Sequence, residues 1–221
     1  MSVAENIAEI KNSLPKNVRL IAISKTRSQE EILEAYNFGQ RDFGENKPQE
    51  MVSKALYLPK DIRWHLVGHL QTNKVKQIAP FVHLIHSVDS LKLLSEINKE
   101  GAKNNRVINC LLQFYIATEE TKFGLSLDEG IALLESDEFK SLKNISITGV
   151  MGMASFTVDI ERVKSEFHEL FHIFNVLRNR FFTNLQHFTE LSMGMSGDYQ
   201  LAIEEGSTMV RLGTVIFGKR N

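Results

Sequence analysis

The run Val18 to Lys25, VRLIAISK, has the almost unbroken apolar character of a buried strand and ends on an ammonium group. An amine held over an apolar floor loses solvation of its charged form. Its pKa then falls, and the neutral nucleophile becomes available to attack a carbonyl, as Schiff-base lysines require. Taken alone, a lysine at this place also reads as a solvated loop side chain. Arg211 is a second charge in apolar company, a permanent cation inside TMVRLGTV. It either forms a structural ion pair with Glu204 or Glu205, or faces inward and hydrogen-bonds a ligand acceptor such as a pyridine nitrogen. Two C-terminal segments, ELSMGMSGD and EEGSTMVRLGTVIFG, carry small and hydroxyl residues. Among them Ser192, Gly194, Gly213 and Thr214 let backbone N–H groups approach an oxyanion, which reads as a phosphate cradle, with plain turn geometry as the alternative.

One further motif offers different chemistry. His168, Glu169 and His172 in HELFH match the zinc-peptidase spacing H-E-x-x-H, with Glu190 downstream as a third ligand. The surrounding phenylalanines instead read as the core stripe of a long amphipathic helix with the histidines beside it, so no metal is expected. His65, His69, His83 and His86 read as satisfied or solvated histidines, and Trp64 as core packing. Cys110, the only cysteine, lies in the apolar run VINCLLQF and reads as an inert buried thiol.

The elements that must position these groups alternate short β-branched runs with helical segments, the pattern of parallel strands joined by crossover helices. Eight strands are predicted: Arg19 to Ser24, Asp42 to Gly44, Trp64 to Gly68, Val82 to Ser87, Val107 to Phe114, Ser146 to Met151, His187 to Leu191 and Thr208 to Leu212. Helices read at SQEEILEAYNFG, DSLKLLSEINKEGAK, SLDEGIALLESDEF and DIERVKSEFHELFHIFNVLRNRF, several opening on a Ser or Asp suited to N-capping. Eight β/α units predict a TIM barrel, with an open doubly wound sheet as the rival. In a barrel Lys25 falls at the C-terminal end of the first strand, and the two small-residue segments become the loops after the last two strands, the usual phosphate site of that fold.

The chain has 221 residues, 43% of them hydrophobic and 24% charged, with a formal charge of -1. No linker or shift in composition divides it, so a single domain over residues 1–221 is expected. The charge balance and the absence of a dense Lys/Arg run speak against nucleic acid and anionic membranes as partners. The first residues lack an apolar signal core, and no stretch reaches the roughly 18 apolar residues of a membrane span. A cytoplasmic location and a monomer are expected.

Seven stretches, in order along the chain, carry a resemblance: AISKT (22 to 26), FGENKPQE (43 to 50), WHLVGHLQTNK (64 to 74), HSVDS (86 to 90), TKFG (121 to 124), LSMGMSGD (191 to 198) and GSTMVRLGTVIFG (206 to 218). The chain resembles the pyridoxal phosphate homeostasis protein family, relatives of the N-terminal barrel of alanine racemase. The resemblance implies an α/β fold with a single (β/α)8 TIM barrel of the alanine racemase N-terminal-domain type. It implies an internal aldimine between Lys25 and pyridoxal 5'-phosphate, with Asn46 lining the cofactor. Ser192, Gly213 and Thr214 would contact the phosphate, and Arg211 would approach the pyridine nitrogen. Met151, Met153 and Gly206 to Thr208 either border the pocket or serve core and turns.

A cation beside the pyridine nitrogen disfavours its protonation and so weakens electron withdrawal by the ring. Similar racemases draw an opposing tyrosine from a second domain and a partner subunit, a group that this chain, used up by the barrel, is expected to lack. The resemblance therefore implies binding, buffering and delivery of pyridoxal phosphate, with PLP-dependent apoenzymes as partners. Weak racemase-like activity is the alternative, and a zinc metallopeptidase a remote one. Where many relatives have Gln-Val-Asn after the fifth strand and a proline after the sixth, this chain has QFYIATEETKFG and GVMGMASFTVD, which leaves open what binds above the cofactor.

Overall fold

The structure, a computed structural model, describes residues 2–117, 123–183 and 186–219. Its strands are β1 Arg19–Ile23, β2 Asp42–Glu45, β3 Arg63–Leu66, β4 Leu84–Val88, β5 Ile108–Gln113, β6 Ile145–Met151, β7 Glu190–Met195 and β8 Met209–Leu212. All pair in parallel in sequence order, and β8 pairs with β1, from Arg19 opposite Met209 to Ala22 opposite Leu212. That closing ladder makes the sheet a barrel and excludes the open doubly wound arrangement.

The helices are α1 Val3–Ser13, α2 Gln29–Asn37, α3 Pro48–Tyr57, α4 Val75–Ile78, α5 Leu91–Lys103, α6 Leu127–Glu135, α7 Asp137–Ser141, α8 Ile160–Phe181, α9 Tyr199–Glu204 and α10 Thr214–Phe217. Their starts follow local chemistry. Ser2 with Glu5, Ser28 with Glu31 and Ser126 with Glu129 form capping boxes at α1, α2 and α6, and Ser90 and Asp159 cap α5 and α8. α3 opens on Pro48, whose missing N–H costs nothing in a first turn.

Two apolar regions hold the fold. The larger lies between sheet and helices, where Phe43, Trp64, Leu66, Ile85, Val210 and Leu212 meet Ile32, Met51, Ile97, Phe167 and Leu170. The smaller fills the barrel with Ile21, Leu84, Leu111, Met151 and Met209. Strand alternation separates the two sets, and along β1 it turns residues 21 and 23 inward and brings 25 to the top of the lumen.

Most strands lie within two residues of the sequence expectation, and β7 departs further. β7 runs from Glu190 to Met195, not from His187 to Leu191. The small residues that read as a loop are demanded by packing within the strand. Gly194, at φ +94°, lets α9 approach so closely that a Cβ there would lie 2.7 Å from that of Ala202. No helix of the described residues is long and apolar enough to cross a membrane.

Candidate functional site

A cavity of about 330 Å³ opens at the C-terminal ends of the strands, a size suited to a small ligand. Lys25, half-buried, enters it from the turn after β1. Asn46 and Val67 follow β2 and β3 into the lining, Met153 and residues 155–157 follow β6, Met195 to Asp198 end β7, and Arg211, Gly213 and Thr214 come from β8 and the start of α10. Asn46 is placed by close contact: a Cβ on Gly68 would lie 2.4 Å from the Asn46 carbonyl oxygen, so the two backbones touch only because residue 68 has none. The rim after β6 is tied to α8, where Glu166 accepts bonds from the Ser155 N–H at 2.6 Å and the Ser155 hydroxyl at 2.7 Å.

Arg211 is 4% exposed and does not pair with Glu204 or Glu205. Burial lowers its pKa to about 10, a value that still leaves it charged at neutral pH. It donates to the Gly152 carbonyl at 3.0 Å and to the Ser192 hydroxyl at 2.7 Å. From Ser192 a buried chain of hydrogen bonds crosses the lumen: to His86 Nδ1 at 3.0 Å, from His86 Nε2 to His65 Nδ1 at 2.9 Å, and from His65 Nε2 to the Asp42 carboxylate at 3.0 Å. Charge fixes its direction. Burial alone would raise the Asp42 pKa, but bonds from His65 and Arg63 outweigh that and hold it well below the usual carboxylate range. An ionised Asp42 only accepts, so His65 donates through Nε2 and accepts at Nδ1; His86 then donates through Nε2 and accepts the Ser192 proton at Nδ1. Ser192 in turn accepts from Arg211. This direction holds with both histidines neutral, the form that burial favours by lowering both their pKa values, and in it the Ser192 O–H also finds an acceptor.

This chain relocates Ser192. It is fully buried and points into the barrel under Arg211, not into the cavity. Of the two serines in this segment it is Ser196 that lines the cavity, and its hydroxyl accepts from the Gly213 N–H at 3.3 Å and joins the loop after β7 to the loop after β8. Ser196 and Gly197 belong to the segment read as an anion site, but with β7 ending at Leu191 the first small residue beyond it was Ser192. Arg27, also in the lining, bonds Glu31 at 3.2 Å and the Gly218 carbonyl. Met153 lines the cavity, whereas Met151 is buried in the lumen and Ser207 bonds the carbonyls of Leu191, Met193 and Met209.

Elsewhere, His168, Glu169 and His172 lie on the exposed face of α8, and His168 bonds Glu205 at 3.2 Å. Val163, Phe167, Leu170, Phe174 and Leu177 form the buried stripe, while Phe171 is 37% exposed and stands against Gly206. Among the described residues, the grouping with metal-ligand side chains is Asp42, His65 and His83. Its carboxylate is already engaged by the Arg63 guanidinium, with Nε at 2.8 Å, which opposes a second cation. His69 pairs with Asp89 at 3.5 Å and stacks on Phe123. Cys110 is buried, and burial pushes its thiol pKa up, away from reactivity. Residues 121 and 122 of the TKFG stretch lie outside the described residues.

The residues present fit pyridoxal phosphate: a primary amine and a buried guanidinium face one cavity, beside two loops of small residues able to close on a phosphate. Comparison with known proteins agrees. The family model described as alanine racemase, N-terminal domain, matches residues 1–221. A pyridoxal phosphate homeostasis protein of Aquifex aeolicus is 40% identical over 204 residues, covering 91% of this chain and 87% of that protein. PipY of Synechococcus elongatus, 34% identical, superposes with a TM-score of 0.91 without PLP and 0.88 with PLP bound, over 98% of this chain and 100% of PipY in each case. An alanine racemase of Clostridium difficile, at 12% identity and a TM-score of 0.79, shares the fold over 99% of this chain and 57% of its own. The chain therefore belongs to the alanine racemase N-terminal domain family and, within it, to the pyridoxal phosphate homeostasis proteins.

Proposed function

We propose that this chain, as one domain over residues 1–221, binds pyridoxal 5'-phosphate as a Schiff base on Lys25 and takes part in its homeostasis in the cytoplasm, holding the reactive aldehyde and releasing it to apoenzymes. The convergence of Lys25 and Arg211 on one cavity carries the reading. In it Lys25 supplies the amine, Arg211 faces the ring nitrogen, Asn46 borders the ring, and Ser196, Gly197, Gly213 and Thr214 take the phosphate. When bound, the cofactor supplies an electrophilic carbonyl. A charged Arg211 disfavours protonation of the ring nitrogen and so discourages carbanion chemistry. Among the described lining residues there is no Tyr, His or Cys, and Asp198 is the one carboxylate able to take a proton beside Lys25. That composition supports a binding protein over an efficient racemase, as do relatives named as homeostasis proteins.

The test is the absorption spectrum of the purified protein before and after borohydride, with intact mass of wild type and Lys25→Ala. A yellow band bleached by reduction, leaving a phosphopyridoxyl adduct on Lys25, is expected. Absence of an adduct on Lys25 at saturating cofactor overturns the proposal. Racemase activity above the Lys25→Ala background would overturn the non-catalytic part. For delivery, activation of an apoenzyme that survives a scavenger of free cofactor indicates direct transfer, and its abolition indicates release.

A further inference from the structure

The turn that carries Lys25 is gripped on both sides by a buried ion cluster. Lys54, from α3, is 7% exposed, and its ammonium donates to three acceptors: the Ser24 carbonyl at 2.7 Å, Glu45 Oε1 at 2.8 Å and Glu50 Oε1 at 2.7 Å. The two carboxylates hold the neighbours of Lys25 in turn. Glu45, fully buried at the end of β2, accepts the Ser24 hydroxyl at 2.6 Å, and Glu50 accepts the Thr26 N–H at 2.6 Å. Thr26 sits at φ +66°, a conformation that a β-branched residue keeps only where its surroundings impose it.

A buried ion pair is weak evidence for stability by itself, because desolvation offsets the attraction. This cluster does something more specific. All three N–H donors of Lys54 are used, and three of the cluster's bonds end on backbone or side-chain atoms of residues 24 and 26. The i,i+4 spacing of Glu50 and Lys54 turns both toward the same point on the first βα turn.

We propose that Lys54, Glu45 and Glu50 are positioning residues for Lys25, fixing the backbone on either side of it so that its amine enters the cavity in one orientation. The proposal rests on the reading of Lys25 as the attachment point. In that linkage the neutral amine nitrogen bonds the aldehyde carbon, and the carbonyl oxygen leaves as water with the two amine protons. A fixed amine reaches that geometry without a further loss of freedom.

Two readouts on the full chain test it. The first is the rate at which pyridoxal 5'-phosphate forms the borohydride-trappable adduct on Lys25. The second needs no cofactor: trace acylation of Lys25 relative to exposed Lys47, read by peptide mass. Glu50→Ala is expected to slow adduct formation about tenfold or more and to change the labelling ratio. Glu50→Gln, whose amide oxygen still accepts from Thr26, is expected to stay near wild type, and Lys54→Met to follow Glu50→Ala. If Lys54→Met fails to fold, Glu50→Ala decides, since Glu50 is partly exposed. Wild-type rate and labelling in Glu50→Ala overturn the proposal. If wild type forms no adduct on Lys25, the attachment reading falls, and the labelling ratio still decides whether the cluster positions the amine.

Discussion

Arg211 shows how a buried cation is accommodated without a carboxylate at contact distance. Its charge is spread through Ser192, His86 and His65 to Asp42, five residues that alternation turns into the lumen. Burial keeps both histidines neutral at neutral pH, and the chain then places the proton of each at Nε2. Side-chain ¹⁵N shifts of His65 and His86 report this directly, and a doubly protonated ring or an Nδ1–H form would contradict the assignment. Ser192→Ala removes the acceptor of an Arg211 N–H and the donor to His86 at once, so it is expected to cost about 1–3 kcal/mol by urea denaturation. Substituting the exposed His168 is expected to change stability by less than about 0.5 kcal/mol.

At the scale of elements, the site depends on where strands end and how closely neighbours approach. β7 continues four residues beyond its expected end, which turns Ser192 from a loop residue into a lumen residue and passes the loop role to Ser196 and Gly197. Gly68 plays the corresponding part after β3. In Gly68→Ala the new methyl meets the Asn46 carbonyl, so backbone after β2 must shift. The expected result is about 1–3 kcal/mol of lost stability together with weakened cofactor retention, measured by denaturant midpoint and by cofactor release on dilution. Retention at the wild-type level would show that Asn46 does not help hold the ligand.

The whole molecule carries its buried histidines as an acid liability. His83 is lowered to about 4 by burial, and His65 and His86 are also lowered chiefly by burial. The unfolded chain protonates these rings near pH 6.5 while the folded one does not, so stability must fall as pH drops below that value. Each ring that stays neutral contributes up to about 1.4 kcal/mol per pH unit of this loss, until its own folded pKa is reached. Asp42, whose folded pKa is depressed, adds a separate loss below about pH 3.9. Glu45 and Glu190, raised by burial, act in the opposite sense as they take up protons. Urea midpoints are expected to fall between pH 7.5 and 5.0, and a flat or rising profile would show that the raised carboxylates offset the histidines instead.

What the sequence by itself determined were features encoded by period and by local chemistry: the βα alternation, Lys25 after β1, the Ser and Asp helix caps, Arg211 out of place in an apolar strand, and the family. Each is written in short runs of neighbouring residues, single or repeated along the chain. What only the tertiary structure decided were the closing β1–β8 ladder, the Arg211-to-Asp42 chain, the place of Ser192 beneath the cavity floor, and the Lys54 cluster. These join side chains from different strands and helices, as His86 and Ser192 are joined across 106 positions. No local pattern marks such a partner, because burial turns a polar residue into a necessary one only after the barrel has closed around it.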